Sequence, residues 1–389
     1  MPSSGRRIRR EHRRGQDGCR GRAGETGRRA LLGAGAIALA APFVLTARAG
    51  AEASGSGGEM IYRTLGRTGL KVSAAGLGGG GFSRLGLSAG KSEADIVSLI
   101  RLAIDLGVNL IDTAAAYGTE PVIGRAIKSV PRDRLVITTK ASAAKYATWE
   151  QFTPETVVAS IDNSLRQLQT DYLDVLEFHA VVPRNYQYTR DVIYPAVLRE
   201  KEKGKLRFIG ITEAAPYDLD HKMLRNAMAR DDIWDTAMVA FNMMHQDARV
   251  DVFPGTMKRH VGTLIMFAVR SIFAQPERLN AEVRGLIANG SLPKSLGDAA
   301  DPLSFLVHEG GASSIIDAAY RFVRDEPGVD VVLFGTSDPN HLREDVASLT
   351  KPPLPAADRQ QIISLFGHLV GVGIERPPKH PPANAQSPE

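Results

Sequence analysis

The chain has 389 residues, 43% of them hydrophobic, so it is long and apolar enough to bury a large core. Its formal net charge is +5, but residues 1–49 hold eleven Arg and three acids, which leaves the remainder with a net charge of −3. A basic surface for nucleic acid is therefore not expected on the folded part. The only cysteine is Cys19, so the rest of the chain can form neither a disulfide nor a catalytic thiolate.

Residues 1–53 have the layout of an export signal. An Arg-rich start with the pair Arg28–Arg29 precedes an apolar stretch from Ala30 to Thr46, and small-residue cleavage sites follow. The Arg pair predicts a twin-arginine signal peptide, and hence export to the periplasm through the twin-arginine machinery. No stable membrane insertion is expected after leader removal, because a spanning helix needs about 20 strongly apolar residues. A misassigned start codon (a cytoplasmic protein) and an uncleaved anchor are the alternatives.

Residues 54–60 form a Gly/Ser/Ala spacer, and residues 371–389 form a Pro-rich tail predicted to be disordered. Between them, 61–370 begins with a hairpin around Arg67-Thr68-Gly69 and then alternates β-branched runs with segments of helical spacing. The predicted strands lie at roughly 72–78, 109–114, 135–141, 172–179, 207–212, 236–242, 262–269 and 330–335. The helices fall between them, for example at 92–106, 153–168, 191–204, 218–230 and 312–325.

Eight such βα units in one chain predict a (β/α)8 TIM barrel, with the N-terminal hairpin and an extra C-terminal helix over 356–370 as additions. Two longer insertions, 142–152 and 271–303, follow strand ends and are therefore expected on the active-site face. The second is interpreted as a substrate or cofactor lid, or else as an inert excursion. Together with 81–91 and 182–189, these loops are expected to set specificity.

Four polar residues lie at the carboxyl ends of successive strand signals. Asp112 ends one apolar run, Tyr117 follows in a small-residue loop, Lys140 ends the strand LVITTK, and His179 lies near the end of DYLDVLEFHA. Each alone could be a helix cap, a rim aromatic, a surface charge or a core histidine. In this order, D-x-A-x-x-Y-G followed by a strand-terminal Lys and His resembles the aldo-keto reductase superfamily, and the four residues match its catalytic tetrad.

The resemblance assigns each residue a role in transferring a hydride and a proton between a nicotinamide cofactor and a carbonyl group. Tyr117 is the proton donor, although a free phenol has a pKa of about 10. A nearby Lys140 ammonium is expected to lower that pKa, and Asp112 to keep the ammonium charged and in place. His179 is expected to orient and polarise the substrate oxygen.

The resemblance also predicts residues that hold NADP(H) or NAD(H). Thr212 and Glu213 stand where the family has a Ser-Asn pair that binds the carboxamide, and Met238 replaces a Gln. Phe241 matches the aromatic residue that stacks on the nicotinamide. Arg270 either faces the pyrophosphate or is a surface charge.

The segment FGTSDPNHLREDVASL matches the family's loop around the adenosine phosphate. Gly335 and His341 occupy the positions of a Lys and an Arg that select NADPH, and Thr336 occupies a Ser position. Ser337 is predicted to be a cofactor ligand, and the alternative for the segment is an ordinary helix capped by Ser337 or Asp338. Because the cationic pair is missing, the choice between NADPH and NADH stays open, with Arg343 as a possible replacement.

Three other motifs lack either a required residue or the structural context that their function needs. Residues 76–81 satisfy G-x-G-x-x-G, but a loop rather than a helix follows, which argues against a Rossmann fold. Gly90-Lys91-Ser92 lacks the upstream glycine of a phosphate loop. The run beginning His308-Glu309 lacks the second His of H-E-x-x-H, and no metal site is predicted.

The sequence therefore predicts an exported NAD(P)H-dependent oxidoreductase that reduces an aldehyde or ketone, or oxidises a sugar or alcohol in reverse. Its expected partners are a small-molecule carbonyl or alcohol substrate and the export machinery, and not nucleic acid. The alternative is a catalytically weak sensor or scaffold that binds nicotinamide cofactor on the same barrel. Glu213 and Met238 favour this alternative, and the complete tetrad disfavours it. The oligomeric state and the identity of the substrate are not predicted.

Overall fold

The structure is a computed structural model that describes residues 58–374. The predicted leader lies outside the described residues, as does most of the predicted spacer and tail. Among residues 58–374, no helix is both long and apolar enough to cross a lipid bilayer.

The centre of the fold is a closed barrel of eight parallel strands, which confirms the predicted (β/α)8 architecture. The strands are numbered after a two-stranded N-terminal hairpin, β1 and β2, and neighbouring strands follow chain order until β10 closes on β3. They are β3 (Ala75–Gly78), β4 (Leu110–Asp112), β5 (Val136–Ala141), β6 (Leu173–Val181), β7 (Leu206–Glu213), β8 (Thr236–Ala240), β9 (Gly262–Met266) and β10 (Val331–Phe334).

The hairpin covers the amino-terminal end of the barrel. Its antiparallel strands are β1 (Tyr62–Thr64) and β2 (Lys71–Ser73). Leu65, in the turn, lies against the first residue of β9, since a Cβ on Gly262 would be 2.7 Å from Leu65 Cγ. Leu65 belongs to a buried apolar cluster with residues of the barrel strands such as Val136. Because this end is closed by apolar packing, the carboxyl ends of the strands are left for a polar site.

Helices alternate with the strands, and several of them begin at a side-chain cap. The side chains of Ser92 and Thr153 accept hydrogen bonds from the first turns of α1 and α3. The helices are α1 (Glu93–Asp105), α2 (Glu120–Ile127), α3 (Pro154–Leu168), α4 (Pro183–Tyr188), α5 (Tyr194–Glu202), α6 (Lys222–Arg230), α7 (Ala248–Asp251), α8 (Phe253–Arg259), α9 (Ser271–Ala274), α10 (Pro276–Ala288), α11 (Ile315–Arg324), α12 (Pro339–Thr350) and α13 (Ala356–Phe366).

The insertion over 271–303 differs from the irregular loop expected there, because much of it is helical. Its α10 buries Leu279, Val283 and Leu286, which recur at helical spacing. The predicted loop over 182–189 likewise contains α4. Pro276 stands at the first position of α10, where proline is tolerated, and Gly290 follows the end of the helix, whereas Gly285 lies inside it.

Candidate active site

A buried ion pair lies at the carboxyl ends of β4 and β5. Lys140 Nζ donates to Asp112 Oδ1 at 2.5 Å and to the carbonyl of Thr113 at 2.7 Å. Thr138 Oγ1 donates to the same carboxylate oxygen at 2.7 Å. The Lys140 side chain is 1% exposed, and a buried charge is tolerated when it is paired and hydrogen-bonded, as here.

Tyr117 and His179 stand beside this pair. The Tyr117 hydroxyl lies 3.3 Å from His179 Nε2, and Lys140 Nζ lies 5.2 Å from the centre of the Tyr117 ring. A short helical turn, Ala115–Tyr117, carries the tyrosine, and β6 carries the histidine. The structure thus brings together the four residues that the sequence places at strand ends.

Burial sets the protonation of these groups. It raises the pKa of Tyr117 above its ordinary value, although the Lys140 ammonium lowers it, so the expected net lowering by Lys140 is not found. Burial, and then the Lys140 charge, lower the pKa of His179 to about 3, so its imidazole is neutral near pH 7. Burial disfavours the Lys140 ammonium, but the charges of Asp112, Tyr117 and Glu177 together outweigh burial and raise the pKa of Lys140.

A fifth ionisable residue, Glu177, lies in the barrel interior. It is not among the site residues predicted from the sequence. Its backbone is opposite Lys140 in the pairing of β6 with β5. Thr236 Oγ1 donates to Glu177 Oε1 at 3.2 Å, and Oε2 has no hydrogen-bond partner among the described residues. Burial raises its pKa to about 8, against the opposing effect of Lys140. The sequence does contain a signal for Glu177. It precedes His179 by two residues, and residues i and i+2 of a strand point to the same face of the sheet.

The glycine run at 76–81 has a packing role beside Tyr117. A Cβ on Gly80 would be 2.7 Å from Tyr117 Cε2, and the amide of Gly79 donates to the carbonyl of Asp112 at 2.6 Å. The missing side chains therefore let the backbone after β3 approach the tetrad.

The side chains predicted to bind the carboxamide form hydrogen bonds with other parts of the protein. Thr212 Oγ1 accepts a hydrogen bond from the amide of Ala180 at 2.7 Å. Both oxygens of Glu213 are bound, one by the amide of Ala240 and one by His221 Nδ1, each at 2.7 Å. The Glu213 carboxylate is therefore not free to bind a cofactor in this arrangement, and only its backbone is available for that predicted contact.

The packing of Phe241 differs from that expected of a residue that stacks on nicotinamide. Phe241 is fully buried, and its ring stacks on Phe322 with centroids 6.0 Å apart. A ring that stacks on nicotinamide needs an accessible face, which Phe241 does not have. Met238, which replaces the family's Gln, is paired with Thr212 in the register of β7 with β8 and belongs to the apolar cluster inside the barrel. Sequence matching does not distinguish these inward and core positions from exposed ones.

The predicted phosphate loop leads from β10 into α12. Asp338 caps this helix and accepts from the amides of Asn340 and His341, and its own amide donates to Thr336 Oγ1 at 3.1 Å. Ser337 is therefore not the cap. Gly335 follows the end of β10 and lies close to β3, since a Cβ on it would be 3.0 Å from the carbonyl of Gly78.

A cavity of about 350 Å³ lies beside this loop, between α1 and the start of α12. Ser337, Lys91 and Arg343 line it, and His341 does not. Two cationic residues, Lys91 and Arg343, thus line this cavity together with the acidic residue Asp95.

Arg270 lies near the tetrad, where its charge lowers the pKa of Tyr117 slightly. Its guanidinium lies 4.8 Å from the centre of the Phe82 ring and 4.4 Å from that of Phe267. Phe82 is 69% exposed, so this cation covers an exposed ring on the active-site face. A position facing a cofactor pyrophosphate stays a prediction.

Aromatic residues from two loops form a further part of this face. The rings of Tyr146, Trp149 and Tyr217 lie 5.2–5.6 Å apart, centre to centre. Tyr146 is 52% exposed. The loop over 142–152, predicted to set specificity, thus presents an aromatic surface to solvent.

The closed parallel barrel, with a polar site at the carboxyl ends of its strands, defines a (β/α)8-barrel enzyme. The profile of the aldo/keto reductase family matches residues 75–365. The chain therefore belongs to that family, whose members are NAD(P)-dependent oxidoreductases. This confirms the resemblance, the predicted enzyme class and the predicted nicotinamide cofactor at the level of the family.

Individual relatives match over different lengths. L-galactose dehydrogenase of Arabidopsis thaliana is 40% identical over 163 residues, which cover 40% of this chain and 49% of that protein. Aldo-keto reductase YhdN of Bacillus subtilis is 26% identical over 328 residues, which cover 80% of this chain and 95% of that protein. The chain thus aligns with about half of the first relative and nearly all of the second.

Solved structures agree in fold. An aldo-keto reductase from Klebsiella pneumoniae, in complex with NADPH, superposes with a TM-score of 0.58 at 22% identity, over 79% of this chain and 96% of that chain. An aldo-keto reductase from Bacillus halodurans gives 0.58 at 21% identity, over 79% and 96%.

Proposed function

We propose that this protein reduces an aldehyde or ketone to an alcohol with NADPH or NADH, or runs the reverse oxidation, and that Tyr117 is the proton donor. The observation that carries the proposal is the arrangement of the tetrad. The Tyr117 hydroxyl and His179 Nε2 lie 3.3 Å apart, beside a Lys140–Asp112 pair closed at 2.5 Å. Two groups able to donate a hydrogen bond to one oxygen atom therefore stand next to a fixed positive charge.

The reaction follows from these positions. When bound, the nicotinamide cofactor supplies the hydride for the carbonyl carbon. Tyr117 donates its proton to the carbonyl oxygen, and the Lys140 ammonium stabilises the phenolate that remains. Because the pKa of His179 is lowered to about 3, the ring is neutral and can donate Nε2–H to the same oxygen. Asp112 holds the ammonium in place and keeps it charged.

The cofactor's adenosine phosphate fits best beside α12. Lys91 and Arg343 line the cavity there together with Ser337, and cationic side chains form charge-assisted hydrogen bonds with phosphate. The helix adds its positive N-terminal end. Gly335, Thr336 and Ser337 lead into this position, and Arg270 could contact the pyrophosphate from the other side of the site.

For the substrate, two observations favour a compact polar molecule with a face that packs on aromatic rings. Tyr146 presents an exposed ring at the site's edge, with Trp149 and Tyr217 packed against it, and aromatic rings bind sugar-like molecules through their faces. The match to a relative named L-galactose dehydrogenase points the same way. We infer that a sugar or a sugar-derived carbonyl compound is the first class to test.

A comparison of substrate turnover with cofactor binding distinguishes the proposed enzyme from the sensor alternative. NADPH and NADH oxidation is measured with a panel of aldehydes, ketones and aldoses, and cofactor binding is measured by fluorescence on the same protein. The enzyme proposal predicts turnover with at least one substrate, at rates above those of Lys140→Met. Cofactor binding with no turnover on any member of the panel in either direction would favour the sensor.

The cofactor position gives a separate prediction. Arg343→Gln should weaken NADPH binding by about ten- to a hundred-fold, the size of one charge-assisted hydrogen bond of roughly 1.5–3 kcal/mol. NADH affinity should change little, because NADH lacks the extra phosphate. His341→Gln, an exposed position outside the cavity, is the control. Equal effects on both cofactors would contradict this placement.

We also propose export through the twin-arginine route, on the basis of Arg28, Arg29 and the apolar stretch that follows. Replacing both arginines with lysine should retain the precursor in the cytoplasm. Cell fractionation with an antibody to the chain measures this, and an unchanged periplasmic level would contradict the proposal.

A further inference from the structure

A cluster of buried histidine and carboxylate side chains lies in the segments that follow β7 and β8. Glu213 is the last residue of β7, and His221 immediately precedes α6. His245 and Asp247 belong to the segment between β8 and α7. We call His221, His245 and Asp247 the histidine–aspartate cluster. None of the three belongs to the tetrad or to the residues proposed to bind the cofactor.

The cluster contains polar atoms that the rest of the described chain does not satisfy. His221 Nε2, both ring nitrogens of His245 and Asp247 Oδ2 are buried without a hydrogen-bond partner among the described residues. Both histidines are fully buried. Each unsatisfied buried group destabilises the fold, and such atoms are rare in folded proteins. Several of them around one point indicate a bound species that supplies the missing interactions.

The candidate ligand atoms of the histidine–aspartate cluster lie close enough together to surround one ion after small rotations. One ligand atom from each of the three residues can be chosen so that all lie within 4.8 Å of one another, and the two imidazole rings are 4.9 Å apart, centre to centre. Zinc binds histidine nitrogen and carboxylate oxygen at about 2.0–2.2 Å, which places its ligands somewhat closer together than this. Small side-chain rotations would therefore be needed.

His221 is already held in the form that a metal ligand needs. Its Nδ1 lies 2.7 Å from Glu213 Oε2, and the other Glu213 oxygen accepts from the amide of Ala240 at 2.7 Å. When Nδ1 donates to the carboxylate, Nε2 of the neutral ring presents its lone pair to the cluster. A carboxylate that orients a metal-binding histidine in this way is a recurrent feature of zinc sites.

The backbone of His221 also adopts a conformation that most side chains avoid. Its φ is 54°, in the left-handed region where residues other than glycine are uncommon. Surrounding interactions have to maintain such a conformation, and it directs the ring toward His245.

We propose that His221, His245 and Asp247 bind one zinc ion, with Glu213 as the positioning residue for His221. Two nitrogen ligands and one carboxylate oxygen favour zinc over magnesium or calcium, which prefer sets made only of oxygen ligands. The ion has a structural role, since it joins the segment after β7 to the segment after β8. These segments follow Thr212 and Ala240, so the zinc fixes the barrel rim next to the nicotinamide end of the proposed site.

Metal content and cobalt spectroscopy test the proposal. The full chain, purified and treated with a chelator, is dialysed against Zn²⁺ or Co²⁺ and then freed of loose metal. One equivalent of zinc per chain is expected, and the cobalt form should show the visible absorption of a site with nitrogen and oxygen ligands. His245→Leu should lose both, whereas the control His308→Gln, an exposed histidine paired with Asp358, should keep both.

Two further measurements keep the test decisive if His245→Leu does not fold. Zinc at a hundred-fold excess over its dissociation constant should raise the wild-type thermal midpoint by about 3–5 °C over the chelated protein. Glu213→Gln should weaken zinc binding about 10- to 100-fold without removing the site. Less than stoichiometric zinc in the wild type, no change in midpoint on chelation, or equal zinc in His245→Leu would overturn the proposal.

Discussion

Glu177 allows the electrostatics of the barrel interior to be tested directly. Burial raises its pKa from 4.5 to about 8, although Lys140 opposes this shift, and Asp112 adds to it. The folded protein therefore keeps this carboxyl group protonated at pH values where the unfolded chain ionises it. Glu177→Gln replaces the protonated acid by a neutral amide of the same shape, which can still accept from Thr236.

The sign and the size of the effect follow from linkage. Between the unfolded pKa of 4.5 and the folded value of about 8, the folded state binds more protons, so raising the pH lowers the free energy of unfolding. At about 1.4 kcal/mol for each pH unit in this window, the loss is at most roughly 5 kcal/mol. Above the folded pKa the contribution of Glu177 no longer changes with pH.

The assay is urea denaturation at several pH values from 5 to 8, followed by circular dichroism. The wild type should lose more stability over this range than Glu177→Gln, and the two curves should converge at acidic pH. Subtracting them removes the contribution of every other group that titrates. Glu202→Gln, at an exposed position, is the control for a change of one charge. Parallel curves for the wild type and Glu177→Gln would refute the reasoning.

Two further predictions concern the tetrad's packing. Asp112→Asn should destabilise the fold by about 3–5 kcal/mol in urea denaturation, because it leaves the buried Lys140 ammonium without its counter-ion, and adding Lys140→Met should recover part of the loss. An unchanged free energy of unfolding in Asp112→Asn would show that the Lys140–Asp112 ion pair does not stabilise the fold. Gly80→Ala should slow the reaction at least ten-fold with the fold retained, because its Cβ would be 2.7 Å from the Tyr117 ring. Gly285→Ala, with open space around its Cβ, should leave the rate unchanged, and an equal rate in both would contradict this packing.

The sequence predicts the barrel and the position of the tetrad because both depend on local patterns. Apolar β-branched runs mark the strands, and in a parallel barrel every strand delivers its last residues to the same face. Asp112, Lys140 and His179 follow from that rule alone. Tyr117 follows from its short distance along the chain from β4.

Other parts of the site depend on contacts that no local pattern contains. His221 comes from the segment after β7, whereas His245 and Asp247 come from the segment after β8, and only the folded loops bring them together. Phe241 is an aromatic residue of the kind that stacks on a nicotinamide ring, but the packing of α11 places Phe322 against it. Glu213 stands at a cofactor position in the aligned sequence, yet its side chain is committed to His221 and to the backbone of β8.

The most direct test of the central claim is the rate of hydride transfer in Tyr117→Phe. Stopped-flow oxidation of pre-bound NADPH by a good substrate gives this rate without product release, and a separate titration gives the NADPH dissociation constant. Tyr117 as proton donor predicts a rate lower by about 10²–10⁴-fold, with the dissociation constant within a few-fold of the wild type. A Tyr117→Phe protein that transfers hydride at the wild-type rate would contradict the account.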